Sequence, residues 1–434
     1  MDNSPTPDAR RACYHAAVMD LDSSVRPKRP APRFPVRVWL ISFLGWMFDF
    51  YDLILLSYLL IPIGKDLGFT ENEESWLLGA ALGASGMGGI LFGYLSDRFG
   101  RKRVMTWTIG IYSLGTALCA LAVGPWSLLL FRVVTGLGVG GEWAVGHALL
   151  QEASPGHMRG RAAAFLQAGE PVGVGLAGVM GLLVTPILGW RLIFLISSAT
   201  AVLAFVARRH LPESRLWHEQ RREELGPVEA LRWMKAHHYL GPLWKGWLLG
   251  VFKLGTYWTC YIWLPKFLQN QLGQPVGRSA LWILTAQCGQ LAGMLLFGYV
   301  ADWHGRRKAY TAYSLLTAAA VYGLAFHWQE LLTRPLWFWS VMFAMGVGSG
   351  CTAGFGALLA ELFPTHVRNF AMGTSYNCAR GIQFFAPALV SFFVSLGGVR
   401  GGLSVPMVLA LATAAWVWVL PETKHRDLAR VGPQ

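Results

Sequence analysis

The stretch GYLSDRFGRKRV, residues 93–104, follows a long apolar run, and a close copy, GYVADWHGRRKAY, stands at residues 298–310. A second matched pair follows each of these: LLQEASPGHMRGR begins at residue 149 and LLAELFPTHVRNF at residue 358. Two matched motifs at a near-constant offset indicate that the chain consists of two copies of one unit. Such internal repeats are a mark of membrane carriers.

The rest of the chain is apolar enough to be a membrane protein. Its 434 residues are 54% hydrophobic and only 14% charged. The apolar residues fall into twelve blocks of about 20 residues, the length of a helix that spans a bilayer. We therefore predict an all-α membrane protein with twelve transmembrane helices in two six-helix bundles. The predicted segments are an N-terminal tail (1–37), a first bundle (38–207), a central loop (208–243), a second bundle (244–420) and a C-terminal tail (421–434).

Basic residues are unevenly distributed between the loops. The segments that follow spans 2, 4, 6, 8, 10 and 12 are rich in Lys and Arg, and basic loops stay on the cytoplasmic side. This pattern predicts that both termini are cytoplasmic. We also expect the protein to lie in a bacterial cytoplasmic membrane. The net charge of +13 is spread over these loops, which argues against nucleic-acid binding.

The sequence lacks the common motifs of cofactor sites and catalytic sites. None of the six cysteines forms a CxxC pair, so we expect no disulfide or metal framework. HExxH, Walker and nucleophile-elbow motifs are also missing from the sequence. We therefore predict no cofactor, no metal and no enzyme activity, although an integral membrane enzyme, a receptor and a channel remain the other classes to test.

The repeated charged motif predicts a gate. Gly100 permits a tight reversal between two helices. Asp97 can pair with Arg101 and with the bases after span 4, and Glu152 can pair with Arg159 or Arg161. Pairs that form and break there would clamp and release neighbouring helices, as alternating access requires. The alternative is a set of solvated loops. The predicted gate residues are Asp97, Arg101, Glu152, Arg159, Arg161, Asp302, Arg306, Glu361 and Arg368.

Acidic residues inside predicted spans are candidates for proton binding, because charges there are costly and usually functional. Asp49 and Asp52 are three residues apart and share a helix face, and neighbouring buried carboxylates favour protonation. Glu142 and Glu170 lie deeper, where either could bind a proton or accept a hydrogen bond from substrate. The alternatives are a structural ion pair for the aspartates and protonated, packed side chains for the glutamates.

Two buried bases suggest an anionic substrate. Lys253 and Arg380 each lie roughly 15 Å deep by helix rise, and an arginine fork suits a carboxylate. The alternatives are snorkelling of Lys253 to the interface and pairing of Arg380 with Glu142 or Glu170. Further polar side chains that could line the substrate site are Tyr257, Tyr261, Gln287, Gln290, Asn377 and Gln383.

The motifs resemble those of the major facilitator superfamily. GYLSDRFGRKRV is similar to its loop signature after span 2, and FRVVTGLGVGGEW to its signature in span 4; LPESRLW and PETKH resemble the sugar-porter branch, although no proline follows Ser214. The segment GGEWAVGHALLQEASPGHMRGR looks most like proton-coupled organic-acid carriers for sialate, monocarboxylates and aromatic acids. The resemblance implies that Asp52 binds the proton, that Arg132 pairs with it, and that the carrier works as a monomer.

We therefore predict a secondary active transporter that moves a small organic anion with protons by alternating access. A neutral sugar or polyol symporter would keep the fold but rely on Gln and Asn side chains. A multidrug exporter of the same fold would favour cations, which the two buried bases oppose. The predicted partners are the substrate, protons and the lipid bilayer.

Overall fold

A computed structural model describes residues 35–69, 71–208, 211–220, 226–266 and 276–431, and this part of the chain contains helices and turns but no strand. The helices of the first half are α1 (Val36–Leu67), α2 (Glu71–Phe99), α3 (Arg101–Cys119), α4 (Pro125–Ala153), α5 (Arg159–Gln167), α6 (Gly169–Val179), α7 (Thr185–Leu188) and α8 (Trp190–Arg208). Two short helices follow, α9 (Arg215–Gln220) and α10 (Pro227–Ala236).

The second half begins with α11 (Leu240–Lys266), which contains Lys253. The helices after it are α12 (Val276–His304), α13 (Arg306–Phe326), α14 (Trp328–Thr333), α15 (Pro335–Ser349), α16 (Phe355–Leu362), α17 (Arg368–Ile382) and α18 (Ala386–Trp416). Helix α18 breaks at Gly397 and Gly398, whose backbone angles are not helical. The predicted N-terminal tail, residues 1–37, lies almost wholly outside the described residues.

Several helices have the length and composition of membrane spans. Seven described segments meet both conditions, and an eighth is added if the bent pair 368–385 and 388–398 is one span. This is fewer than the twelve spans we predicted from the sequence, so the number twelve and the sidedness of the termini stay predictions. The all-helical, apolar architecture is that of an integral membrane protein.

Glycines let the helices approach closely in both halves. A Cβ on Gly140 of α4 would lie 2.0 Å from the Ser85 carbonyl oxygen of α2, and one on Gly346 of α15 would lie 2.0 Å from that of Ala286 in α12. No side chain fits at these distances, so the backbones pack directly, as small residues allow in membrane helices.

The two copies of the charged motif also share one backbone conformation. Gly100 and Gly305, which precede α3 and α13, both have φ of 98°, a region that favours glycine. The carboxylate of Glu213 accepts hydrogen bonds from the first two N–H groups of α3, and Glu422 does the same for α13. Each acid thereby caps a helix N-terminus, where negative charge is stabilising.

Candidate functional site

The first copy of the charged motif joins the two halves of the chain. Asp97 accepts hydrogen bonds from the backbone N–H groups of Asn369 (3.2 Å) and Phe370 (2.9 Å), at the start of α17. Arg101 pairs with Asp97 at 3.2 Å and with Glu152 at 3.0 Å, and it donates to the Thr365 carbonyl at 2.8 Å. The contacts tie α2, α3 and α4 to the segment that begins α17.

In the second copy of the motif, an acid of the second half contacts backbone N–H groups of the first half. Asp302 accepts from the backbone N–H groups of Gly160 (2.8 Å) and Arg161 (3.1 Å), and it pairs with Arg306 at 2.8 Å. Arg306 also pairs with Glu361 at 2.9 Å. We call these two networks together the charged end, defined by Asp97, Arg101, Glu152, Asp302, Arg306, Glu361 and Arg368.

The partners of three residues differ from those we expected. Glu152 does not pair with Arg159 or Arg161; it contacts Arg101 and, at 2.6 Å, Arg368 of the second half. Arg161 pairs with Asp302 instead, and Arg159 donates to the Arg426 carbonyl. The reason is that the two halves meet face to face at this end, so each base reaches an acceptor across the interface.

The C-terminal segment belongs to the charged end, which sequence reasoning missed. Thr423 donates to Glu361 at 2.7 Å, Arg368 donates to the Leu428 carbonyl at 3.3 Å, and the Leu428 side chain is fully buried. The PETKH motif was the available signal, because its threonine and charges lie beside the last span. Through Thr423, Arg426 and Leu428, this segment therefore contacts both halves of the chain.

Burial changes the acid–base behaviour of Asp97, which follows the predicted span 2. Removal from water raises the pKa of Asp97 to about 6, against the opposing effects of Arg101 and the two backbone N–H groups. Burial also acts to raise the pKa of Glu422, but its backbone hydrogen bonds hold that pKa below the ordinary value. Asp97 and Glu422 thus differ, because the Asp97 side chain is enclosed and Glu422 is exposed.

The aspartates of α1 lie in the interior. Asp52 accepts from Arg132 at 2.8 Å and from the Thr116 hydroxyl at 2.9 Å, and all three side chains are buried. This brings together the pair that the family resemblance implies. Asp49 is 0% exposed, one helical turn from Asp52 on the same helix.

A second set of polar side chains meets where α6, α11, α12 and α17 approach one another. Glu170 accepts from Gln167 at 2.9 Å and from Gln290 at 3.0 Å, so this carboxylate links α6 to α12. Lys253 of α11 and Arg380 of α17 act on Glu170 electrostatically but form no ion pair with it. We call this set the central cluster: Gln167, Glu170, Lys253, Gln290 and Arg380.

Arg380 is the most unusual member of the central cluster. It is 1% exposed, and none of its three guanidinium nitrogens has a hydrogen-bond partner among the described residues. Its guanidinium carbon lies 5.2 Å from the ring centre of Phe50 and 5.8 Å from that of Trp46, within range of cation–π attraction. A buried, unsatisfied guanidinium is costly, so this position is suited to receive an anion.

Aromatic rings surround the central cluster. The rings of Trp143 and Tyr376 stack with their centres 3.7 Å apart and an angle of 8° between their planes. The ring centre of Trp46 lies 6.3 Å from that of Tyr376. Tyr257 and Tyr261 of α11 are four residues apart in the sequence, and their ring centres lie 4.7 Å apart. Flat, apolar walls with a few polar groups are typical of small-molecule sites.

Other predicted lining residues have contacts with the protein itself. The Asn377 amide donates to the Gly140 carbonyl at 2.9 Å, and a Cβ on Gly89 would collide with it, so Asn377 packs between helices. Gln383 donates to the Ala379 carbonyl at 2.9 Å within its own helix. Gln287 lies within hydrogen-bonding reach of Tyr257 and keeps a buried amide oxygen without a hydrogen bond.

Glu142 does not belong to the central cluster. It accepts a hydrogen bond from Thr108 at 3.1 Å, between α3 and α4. In contrast, sequence reasoning missed Gln167, which accepts from Trp143 and His147 at 3.2 Å each and donates to Glu170. Its position three residues before Glu170 was the available signal, because that spacing places both on one helix face.

Comparison with known proteins identifies a family for almost the whole of the described chain. The model of the Major Facilitator Superfamily matches residues 38–288 and 277–432. The "Probable 4-methylmuconolactone transporter" of Cupriavidus pinatubonensis is 30% identical, over 89% of this chain and 91% of that protein. The niacin transporter NiaP of Acinetobacter baylyi is 28% identical, over 95% of this chain and 100% of that protein.

The fold is also that of a solved structure. The proton:xylose symporter XylE, with 6-bromo-6-deoxy-D-glucose bound, superposes with a TM-score of 0.74 at 20% identity, over 92% of this chain and 98% of that chain. At this identity the likeness concerns the fold alone.

Proposed function

This chain belongs to the Major Facilitator Superfamily, and from that premise we propose that it moves a small organic anion, together with protons, across the bacterial cytoplasmic membrane. Its relatives are transporters, and they include carriers of organic acids such as niacin; the chain is likewise a transporter and not an enzyme. The substrate, the coupling to protons and the roles of individual residues are our proposals.

The observation that carries the proposal is the unpartnered guanidinium of Arg380. A buried charge in a membrane bundle normally has a partner, and Arg380 has none among the described residues. A carboxylate would supply two parallel hydrogen bonds to its fork. Lys253, which is 2% exposed, would add a second positive charge, so the central cluster holds two bases and one acid.

The aromatic walls favour a flat carboxylic acid. The rings of Trp46 and Phe50 lie beside the Arg380 guanidinium, and Trp46 is next to Tyr376, which stacks on Trp143. Niacin, which the Acinetobacter relative carries by name, is an aromatic carboxylic acid. A small aromatic or conjugated acid is therefore our first choice, and a sialate-like acid is the second.

The ion pair between Asp52 of α1 and Arg132 of α4 is suited to proton coupling. A proton on Asp52 would break its 2.8 Å pair with Arg132, and the freed arginine would bias the carrier between its two faces. Asp49, Glu142 and Glu170 are the other candidate proton sites.

The charged end suits a gate. Both copies of the motif tie the two halves together there, so the described conformation is closed at this end. We propose that this end is cytoplasmic, that twelve spans form two six-helix bundles (38–207 and 244–420), and that a monomer alternates between conformations by rocking these bundles. Opening would require both networks to break.

Uptake into proteoliposomes under an inward proton gradient tests the proposal. We expect uptake of nicotinate, gentisate, muconate or sialic acid by the wild type, and its loss in Arg380→Gln. Arg380→Lys should recover part of the uptake, because it keeps the charge but loses the fork. Arg400→Gln, which removes an exposed arginine, is the matched control and should transport normally.

Two other outcomes would replace the proposal. Uptake of xylose or another neutral sugar by the wild type and by Arg380→Gln would make Arg380 structural and indicate a sugar symporter. Export of organic cations in exchange for protons would indicate a multidrug exporter.

A further inference from the structure

Glu170 is a buried carboxylate that forms no ion pair with any described residue. It is 2% exposed, and within this part of the chain its two oxygens accept hydrogen bonds from the neutral amides of Gln167 and Gln290. The bases of the central cluster, Lys253 and Arg380, act on it electrostatically but form no ion pair with it within the described residues. An acid and two bases therefore share one enclosed site without neutralising one another by contact.

Titratable groups on three other helices interact with Glu170 directly or through Gln167. Helix α17 supplies Arg380 and Tyr376, α11 supplies Lys253, Tyr257 and Tyr261, and α4 supplies His147 through Gln167. Helix α1 carries Asp49 and Asp52, the latter already paired with Arg132. The central cluster thus contains one acid that is free of an ion pair and lies near the place where an anion would bind.

We propose that Glu170 is a second coupling site beside Asp52, where direct repulsion between its carboxylate and the carboxylate of the bound anion links proton binding to substrate binding; this rests on the function proposed above. An anion held by Arg380 and Lys253 brings a second negative charge into the enclosed site. Two carboxylates that share a site favour a proton on one of them. Anion and proton therefore bind cooperatively, and by linkage each strengthens the binding of the other to the same extent.

The contact with Gln290 allows Glu170 to be neutral without loss of the bridge between the halves. When Glu170 is ionised, the Gln290 amide nitrogen donates to it at 3.0 Å. The Gln290 amide oxygen is buried without a hydrogen bond. After the amide rotates, a protonated Glu170 can donate its O–H to that oxygen. The hydrogen bond between α6 and α12 is then retained in both protonation states. Glu170 can therefore take a proton from water on one side of the membrane and release it on the other.

The proposal is tested by binding of the same four acids to purified protein, with nicotinamide as the neutral analogue, between about pH 6 and pH 8. We expect wild-type affinity for the bound acid to fall by up to about tenfold per pH unit, the limit for one linked proton. Glu170→Gln should abolish this pH dependence. Its affinity at the alkaline end should equal or exceed that of the wild type, because the repelling charge is gone.

Two variants separate this role from a structural one. Glu170→Asp keeps a titrating carboxylate and should retain the pH dependence, whereas Asp66→Asn removes an exposed acid and should leave it unchanged. If Glu170→Gln binds more weakly at every pH but its affinity still falls with pH as in the wild type, the proposal is overturned and Glu170 is a packing residue. A slope that survives Glu170→Gln but disappears in Asp52→Asn would overturn it in favour of Asp52.

The failure of the function itself has a different signature. If wild-type protein binds none of the four acids at any pH, the organic-anion function and this inference both fall. If it binds an acid with the slope unaltered by Glu170→Gln, only the inference falls.

Discussion

Acidification should close the charged end, and the size of the effect follows from Asp97. The pKa of Asp97 is about 6 in the closed structure, where it lies against α17, and its ordinary value is 3.8. If opening exposes Asp97 to water, the closed state binds the proton more tightly. Lowering the pH then favours closure, and this advantage disappears as the pH rises through the closed-state pKa. Between about pH 7 and pH 5 the closed state gains about 1.4 kcal/mol, a factor of about ten.

Distances between spin labels at the charged end measure this equilibrium. Labels on the exposed positions Arg103 and His304, one in each half, should show the open fraction decreasing about tenfold between about pH 7 and pH 5. Asp97→Asn has no charge to titrate, so its open fraction should not change with pH through this group. An open fraction that grows on acidification, or an unchanged pH response in Asp97→Asn, would refute the reasoning.

Three further changes have directions set by the structure. Asp52→Asn should abolish proton-driven accumulation yet retain substrate exchange, and unchanged accumulation in liposomes would contradict the role of Asp52. Arg306→Gln leaves Glu361 buried without its base and leaves Asp302 with Arg161 alone, so thermal melts should show a loss of about 3–5 kcal/mol, whereas the exposed neighbour Lys308→Gln should change little. Gly346→Ala should lower Tm because its Cβ meets a carbonyl 2.0 Å away, and Gly110→Ala, with open space, should raise it; equal shifts would contradict the packing argument.

The sequence alone determined the class of protein and the kinds of residue in its sites. Apolar blocks and a duplicated charged motif predicted a helical membrane transporter with a repeated architecture, because span length and repeated spacing are local properties of the chain. The rarity of charges inside such blocks selected Asp52, Glu170, Lys253 and Arg380 without any coordinates. The family match then confirmed the superfamily that the motifs resembled.

Partners, in contrast, were decided by the tertiary structure. Spacing along a helix states which side chains share a face, but it does not state which helix lies opposite. Glu152 therefore reached Arg368, more than two hundred residues away in the sequence, and the Asn377 amide reached the Gly140 carbonyl of the other half. The isolation of Arg380 is likewise a property of the assembled bundle, because it depends on which groups on α1, α6 and α11 fail to reach it.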